Sequence, residues 1–165
     1  MEKSELPADK PVVLVDADAC PVKPEILKVA DRFSVEVYLV ANSGLRPSRD
    51  PAVHNVLVSG SFDAADDWIV DKSRPGDVAV TADIPLASRL VAKGVNVLGP
   101  TGRVHSDDTI GMTLAMRNLN QDLREAGEIQ SYNPSFSAKD RSAFLQALDR
   151  MLRHALKNSK QGNPQ

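Results

Sequence analysis

Five short stretches of the chain consist mainly of apolar residues, many of them β-branched: 12–15, 35–41, 54–58, 77–81 and 95–98. Runs of this length and composition are typical of strands that are buried on both faces of a parallel sheet. Between these strands lie segments whose apolar residues have helical spacing, namely 22–33, 63–73 and 84–93. This alternation predicts an α/β fold with a mostly parallel five-stranded sheet and helices on both of its faces.

After the fifth predicted strand the pattern becomes helical, with a loosely amphipathic segment at 107–126. Ser137 opens the sequence S-x-x-D, a variant of the capping box that begins helices. A stripe of apolar residues at helical spacing follows, which predicts C-terminal helix packing on the core. We therefore expect one domain over residues 11–156, with a flexible N-terminus at 1–10 and a flexible tail at 157–165.

Composition limits the class of protein. The chain has 165 residues, of which 42% are apolar and 25% charged, values typical of a globular domain. Its net charge of −2 gives no overall attraction to nucleic acid or to anionic lipid. No apolar run approaches the ~20 residues of a membrane span, and the polar N-terminus is unlike a secretory signal. With Cys20 as the single cysteine, these features favour a cytoplasmic protein without a disulfide.

Acidic residues stand where the predicted strands end and the next helices begin. Two follow the first strand, three open the helix after the third strand, and one follows the fourth strand: Asp16 and Asp18, then Asp63, Asp66 and Asp67, then Asp83. Because the carboxyl ends of parallel strands meet at one edge of a sheet, we expect all three groups to face one crevice.

Helix direction ranks the three aspartates of the second predicted helix. Relative to the apolar arc of that helix, Asp66 lies at the margin and Asp67 points into solvent. Asp63 is better placed as the N-cap than as a ligand. Any single aspartate after a strand is also a common turn or cap residue, and Asp83 could merely cap the helix that follows it.

The sequence therefore predicts an acidic cluster of Asp16, Asp18, Asp66 and Asp83 that binds Mg²⁺ or Mn²⁺ and is catalytic. Carboxylates close together repel one another unless a cation intervenes, and hard divalent ions prefer oxygen ligands. Such an ion polarises a phosphodiester and generates hydroxide near neutral pH. The predicted chemistry is metal-assisted phosphoryl hydrolysis.

Other polar residues near the expected crevice are candidates for binding substrate. They stand at strand ends or on loops, where they could hold phosphates or a metal-bound water, and they are Asn42, Arg46, Thr81 and Arg103. Each is also an ordinary turn or surface residue. Cys20 precedes Pro21 at a helix start, and no histidine is placed by the sequence to serve it as a base, which favours a structural thiol at the edge of the core.

Several of these segments resemble a known family. The motifs VDADACPVKPEI at 15–26, DAAD at 63–66 and GD-x-x-VTADIPLA at 76–87 are similar to those of the bacterial YaiI/YqxD family. That family is grouped with PIN-like metal-dependent nucleases, which have a Rossmann-type sheet. The resemblance implies a PIN-like fold, with Asp16 or Asp18, together with Asp66 and Asp83, as metal ligands.

Three functions remain open at this point. The first is a Mg²⁺- or Mn²⁺-dependent nuclease acting on RNA. The second is a haloacid-dehalogenase-type phosphohydrolase, because an apolar strand that ends in Asp16-x-Asp18 also opens that site, with the first aspartate as nucleophile. The third is a non-catalytic module that binds RNA or a nucleotide. No membrane partner is expected, and the sequence leaves the oligomeric state open.

Overall fold

The computed structural model describes residues 10–18, 20–42, 49–59, 63–111 and 137–161. Its strands are β1 (Val13–Asp16), β2 (Val37–Ala41), β3 (Val53–Leu57), β4 (Val78–Val80), β5 (Asn96–Leu98) and β6 (Val104–His105). Its helices are α1 (Lys23–Phe33), α2 (Ala64–Lys72), α3 (Ile84–Ala92), α4, which begins at residue 107 and is described to residue 111, and α5 (Ala138–Gln161).

The strands form one sheet in the order β3-β2-β1-β4-β5-β6. All neighbouring strands are parallel except β5 and β6, which pair antiparallel. The order and direction make the fold a Rossmann-like α/β fold, as the alternation of strand and helix predicts. The sequence predicts five strands, and the sheet has six within the described residues. The additional strand, β6, has two residues, which are too few to show a pattern of apolar and polar positions.

The central strands are buried on both faces because each of them supplies two cores. Alternate residues of β1, such as Val13 and Val15, pack with α1 and α5 on one face of the sheet. The residues between them, such as Leu14, pack with α2 and α3 on the other face. This two-sided burial explains why the strands are continuous apolar runs instead of alternating ones.

The C-terminal helix begins as the sequence predicts. The Ser137 hydroxyl accepts a hydrogen bond from the Asp140 N–H, and the Asp140 carboxylate accepts one from the Ser137 N–H, each at 3.1 Å. This reciprocal pair is a capping box. The helix buries one apolar stripe, which includes Phe144, Leu148 and Leu152, and it extends to Gln161, past the predicted domain end at residue 156.

The segment 107–126 was predicted to be helical, and the structure describes it as helix from 107 to 111. Its remaining residues lie outside the described part of the chain. Among the helices that the structure describes, none combines the length and the apolar character that crossing a membrane requires.

Candidate active site

The site lies at the carboxyl ends of the neighbouring strands β1 and β4, where the strand order reverses: β2 and β3 are added on one side of β1, and β4, β5 and β6 on the other. At such a switch point the connections leave toward opposite sides and open a crevice in which ligands bind. A cavity of about 290 Å³ occupies this position. Residues from the ends of β1, β4 and β5 line it: Asp16, Asp18, Cys20, Val80, Thr81, Ala82, Asp83 and Pro100.

Thr81 joins the ends of the two central strands. Since Val15 pairs with Val80, the next positions, Asp16 and Thr81, stand side by side. The buried Thr81 hydroxyl donates a hydrogen bond of 2.9 Å to Oδ2 of Asp16 and accepts one of 3.0 Å from the Asp83 N–H. This chain of hydrogen bonds fixes the orientation of the Asp16 carboxylate and the position of residue 83.

Asp83 has a structural role that the sequence analysis anticipated. Its Oδ1 accepts a hydrogen bond of 3.0 Å from the Leu86 N–H and so caps α3. The side chain is nevertheless exposed, and its charge raises the pKa of both Asp16 and Asp66. Capping and membership of the acidic site are therefore compatible at this residue.

The pKa of Asp66 is the most strongly perturbed in the site. Burial, followed by the negative charges of Asp83, Asp16 and Asp63, raises this pKa from 3.8 to about 6, while Arg89 lowers it. Side chains from β1, α2 and the start of α3 therefore share one electrostatic environment, as the topology predicts.

The pKa of Asp16 is also raised. The main cause is burial, and the charges of Asp83 and Asp18 add to it, whereas the hydrogen bond from Thr81 opposes it. The carboxylates thus bear an electrostatic cost that a bound cation would relieve.

Asp18 lies at the rim of the cavity and is exposed. Its Oδ2 accepts a hydrogen bond of 2.9 Å from the backbone N–H of Asn42, the residue that follows β2. The structure thus brings these two predicted site residues together through the Asn42 backbone. The contact joins the loops that leave β1 and β2.

The two other aspartates of the second helix differ in their agreement with prediction. Asp67 is exposed and pairs with Arg89 at 3.1 Å, which confirms its outward direction. Asp63 holds the N-cap position, yet its side chain makes no capping hydrogen bond. The physical reason is its backbone, which has φ −95° and ψ 11° instead of the β-region angles of a typical N-cap.

Arg103 and Arg46, both predicted to bind substrate, have different outcomes. Arg103 is exposed in the turn between β5 and β6, where its carbonyl accepts a hydrogen bond from the Gly99 N–H. Arg46 lies outside the described residues.

Sequence reasoning missed two contributors to the site, Arg89 and Pro100. Arg89 influences the site from the last turn of α3, and Pro100 lines the cavity from the end of β5. For Arg89 no local signal exists, because its role follows from how α2 and α3 pack. For Pro100 the signal is its place two residues after an apolar run.

Cys20 packs against the core and also lines the cavity. Burial raises the pKa of its thiol, with a smaller opposing effect from a backbone hydrogen bond at Val22. A raised pKa disfavours the thiolate, which is the nucleophilic and metal-binding form. The geometry fits the structural thiol that the sequence predicts.

The donor set of the cavity suits a hard divalent cation. Aspartate carboxylates and the Thr81 hydroxyl offer oxygen atoms, the ligands that Mg²⁺ and Mn²⁺ prefer. Within the described residues, no three histidine, cysteine, aspartate or glutamate side chains are arranged to hold a metal ion together. The residues present fit an ion that takes one or two carboxylates and keeps water in its other positions, as Mg²⁺ commonly does.

The fold and the site define an α/β protein with an acidic crevice at the switch point of a Rossmann-like sheet. Residues 14–154 match the family described as "Uncharacterized BCR, YaiI/YqxD family". The chain belongs to this family, which confirms the resemblance noted in its motifs.

Curated relatives in other bacteria are similar over nearly their whole length. A UPF0178 protein of Agrobacterium fabrum is 62% identical over 147 residues, which cover 89% of this chain and 96% of the relative. One of Mesorhizobium japonicum is 60% identical over 152 residues, or 92% and 98% of the two chains. One of Brucella ovis is 58% identical over 138 residues, or 83% and 86%.

Proposed function

We propose that this protein is a Mg²⁺- or Mn²⁺-dependent phosphodiesterase that acts on RNA, with a PIN-like active site. The observation that carries the proposal is that Asp16 and Asp83 line one crevice, and that burial and the charges of these two residues raise the pKa of Asp66, on α2, to about 6. Perturbed carboxylates in a cleft are typical of functional sites.

The residues of the chain would share the work in the following way. Thr81 holds Asp16 in one orientation, and α3 holds Asp83 through its cap, so both carboxylates are preorganised before a cation arrives. Asp66 completes the negative environment from α2. When bound, the metal ion supplies polarisation of the phosphodiester and a water of lowered pKa.

The composition of the cavity also favours an anionic substrate that is bound through a cation. Its described lining contains no lysine or arginine, so the cavity itself repels a free phosphate. A divalent ion on the carboxylates would reverse this local charge. The substrate would then be a group whose oxygen atoms bind hard cations, as those of a phosphodiester do.

The proposal is tested by hydrolysis of single-stranded RNA and of bis-p-nitrophenyl phosphate in Mn²⁺. Wild type is expected to cleave both substrates. Substitution of a residue that only hydrogen-bonds to a metal ligand typically lowers activity about 10–100-fold, and we expect a larger loss in Asp16→Asn. Asp67→Asn is the matched control, because it removes an exposed aspartate that points away from the cavity.

Other outcomes would contradict the proposal. Cleavage of p-nitrophenyl phosphate alone, inhibited by fluoroberyllate, would instead indicate an aspartyl-phosphate mechanism with Asp16 as nucleophile. Metal-independent RNA binding without any hydrolysis would indicate a binding module. Equal loss of activity in Asp16→Asn and Asp67→Asn would mean that the crevice is not the site.

A further inference from the structure

A second concave surface lies between α1 and α5, on the face of the sheet opposite α2 and α3. It is a groove of about 420 Å³, and we call it the arginine groove. Its lining combines three arginines with one carboxylate and two other residues of α5: Arg32, Arg150, Arg153, Asp149, Leu145 and Gln146.

Two guanidinium groups of the arginine groove, those of Arg32 and Arg153, are positioned by neighbouring side chains. Asp149 accepts hydrogen bonds from both Arg32, at 2.7 Å, and Arg153, at 2.8 Å. The Arg153 guanidinium also stands over the Phe33 ring, with its central carbon 5.6 Å from the ring centroid. Because these contacts fix the side chains in advance, a ligand would not bear the full entropic cost of ordering them.

The same guanidinium groups remain available to solvent. The side chains of Arg32 and Arg153 are 55% and 70% exposed, and Arg150 is also exposed. With three arginines and one aspartate, the groove keeps a local excess of positive charge. Such an arrangement matches the phosphate oxygens of a ligand, which arginine binds in a bidentate way.

The positive charge continues along α5. Arg150, Arg153 and Lys157 have the spacing i, i+3, i+7, which places them on one side of the helix, and all three are exposed. Residues 138–161 contain six lysines and arginines but two aspartates, although the whole chain has a net charge of −2. The stripe is therefore a local basic surface on an acidic protein.

The position of α5 relates this surface to the acidic crevice. The β5–β6 turn, next to Pro100, packs so closely on α5 that a Cβ on Gly102 would lie 2.8 Å from the carbonyl carbon of Ala143. Arg153 lies ten residues further along α5, or about 15 Å at the rise of an α-helix. Arg32 lies in the last turn of α1, which runs from the end of β1 back toward the start of the parallel strand β2, so the groove lies toward the edge of the sheet opposite the crevice. A polynucleotide strand is long enough to reach both places.

We infer that the arginine groove binds the phosphate backbone of a single-stranded polynucleotide and holds it along the α1–α5 face, from which the strand extends to the acidic crevice. The inference rests on the proposed function, because it supplies the basic surface that the carboxylate-lined crevice lacks. Phosphate contacts of this kind position a strand without reading its bases.

The test is the affinity of fluorescently labelled single-stranded RNA of about 12 nucleotides, measured by anisotropy in EDTA at several salt concentrations. In Arg150→Gln/Arg153→Gln the affinity should fall, and the slope of log K against log salt should decrease in magnitude by about 1.4, since each phosphate contact contributes about 0.7. Lys72→Gln/Lys93→Gln removes the same charge from the opposite layer and should retain the wild-type slope.

Asp149→Asn distinguishes a binding site from an ion-pair network that only joins two helices. The substitution removes the negative charge that neutralises part of the groove, whereas the amide oxygen of asparagine and the Phe33 ring can still order Arg153, so RNA binding should become tighter even though the α1–α5 contact is weakened. Unchanged or weaker binding in this variant would overturn the inference, as would equal losses in the two double variants. Retention by anionic vesicles in place of RNA would overturn it as well.

Two further measurements separate this inference from the proposed function. Binding in EDTA requires no metal, and bis-p-nitrophenyl phosphate is too short to contact the groove while it is held in the crevice. If RNA binds as expected and no phosphodiester is hydrolysed, the proposed function fails and the inference about the groove is supported. If the small substrate is hydrolysed and the affinity for RNA is the same in wild type and Arg150→Gln/Arg153→Gln, the inference about the groove fails and the proposed function does not.

Discussion

Asp66 should make the metal-free protein less stable than it would be with a neutral side chain at this position. Its pKa is raised from 3.8 to about 6 in the folded protein. A raised pKa means that the ionised carboxylate is disfavoured by folding, so stability is lost as the pH rises from about 4 through 6. The substitution Asp66→Asn removes this cost and leaves a side chain of the same shape.

The size of the effect follows from the shift. The interval from 3.8 to about 6, at about 1.36 kcal/mol per pKa unit, sets an upper limit of about 3 kcal/mol. Asp66 is half-buried, and screening by solvent reduces the effect, so we expect Asp66→Asn to gain about 1–2 kcal/mol in free energy of unfolding at about pH 8. At about pH 4 the gain should disappear, because the wild-type carboxyl is then protonated.

The assay is urea denaturation of wild type and variant in EDTA at low salt, at both pH values. Asp67→Asn is the control: it should lose about 0.2–1 kcal/mol, because it breaks an exposed ion pair with Arg89. Added Mn²⁺ should stabilise wild type more than Asp66→Asn. A variant that is no more stable than wild type at about pH 8 would refute the view that burial and the neighbouring carboxylates disfavour the ionised form of Asp66.

Three other substitutions test the framework of the site. Gly102→Ala should lower the free energy of unfolding, measured by urea denaturation, by about 2 kcal/mol or more, because φ is 94° and the added Cβ would overlap the backbone of α5. Gly76 has the same φ but open space around it, so Gly76→Ala should lower the free energy of unfolding by about 1 kcal/mol. Ser137→Ala should cost about 1 kcal/mol in the same assay through loss of the capping box. Thr81→Val should raise the pKa of Asp16 further, seen by NMR titration of the carboxyl carbon, while Thr81→Ser should behave as wild type.

The sheet was predictable because its central strands are buried on both faces. Val13 and Leu14 pack into opposite cores, so β1 is apolar up to its last residue, Asp16. The antiparallel β6 was not predictable, since two residues carry no period. The capping box at Ser137 was predictable because its hydrogen bonds are local and depend on three-residue spacing alone.

The candidate site was predictable as far as topology alone determines it. The rule for parallel sheets brings Asp16 and Asp83 to one edge, and helix direction separates Asp66 from Asp67. Contacts that depend on packing between elements were not predictable. The arginine groove belongs to this group, because Arg32 and Arg153 are 121 positions apart in the numbering and meet only when α5 packs on α1.

The central claim is that the acidic crevice binds a divalent cation, and calorimetric titration with Mn²⁺ tests it most directly. The informative variant is Asp16→Asn/Asp83→Asn, because asparagine is also a good N-cap and should preserve the start of α3. Wild type and the Asp67→Asn control should bind Mn²⁺, and the double variant should not. No binding by wild type, or equal binding by the folded double variant, would contradict the account.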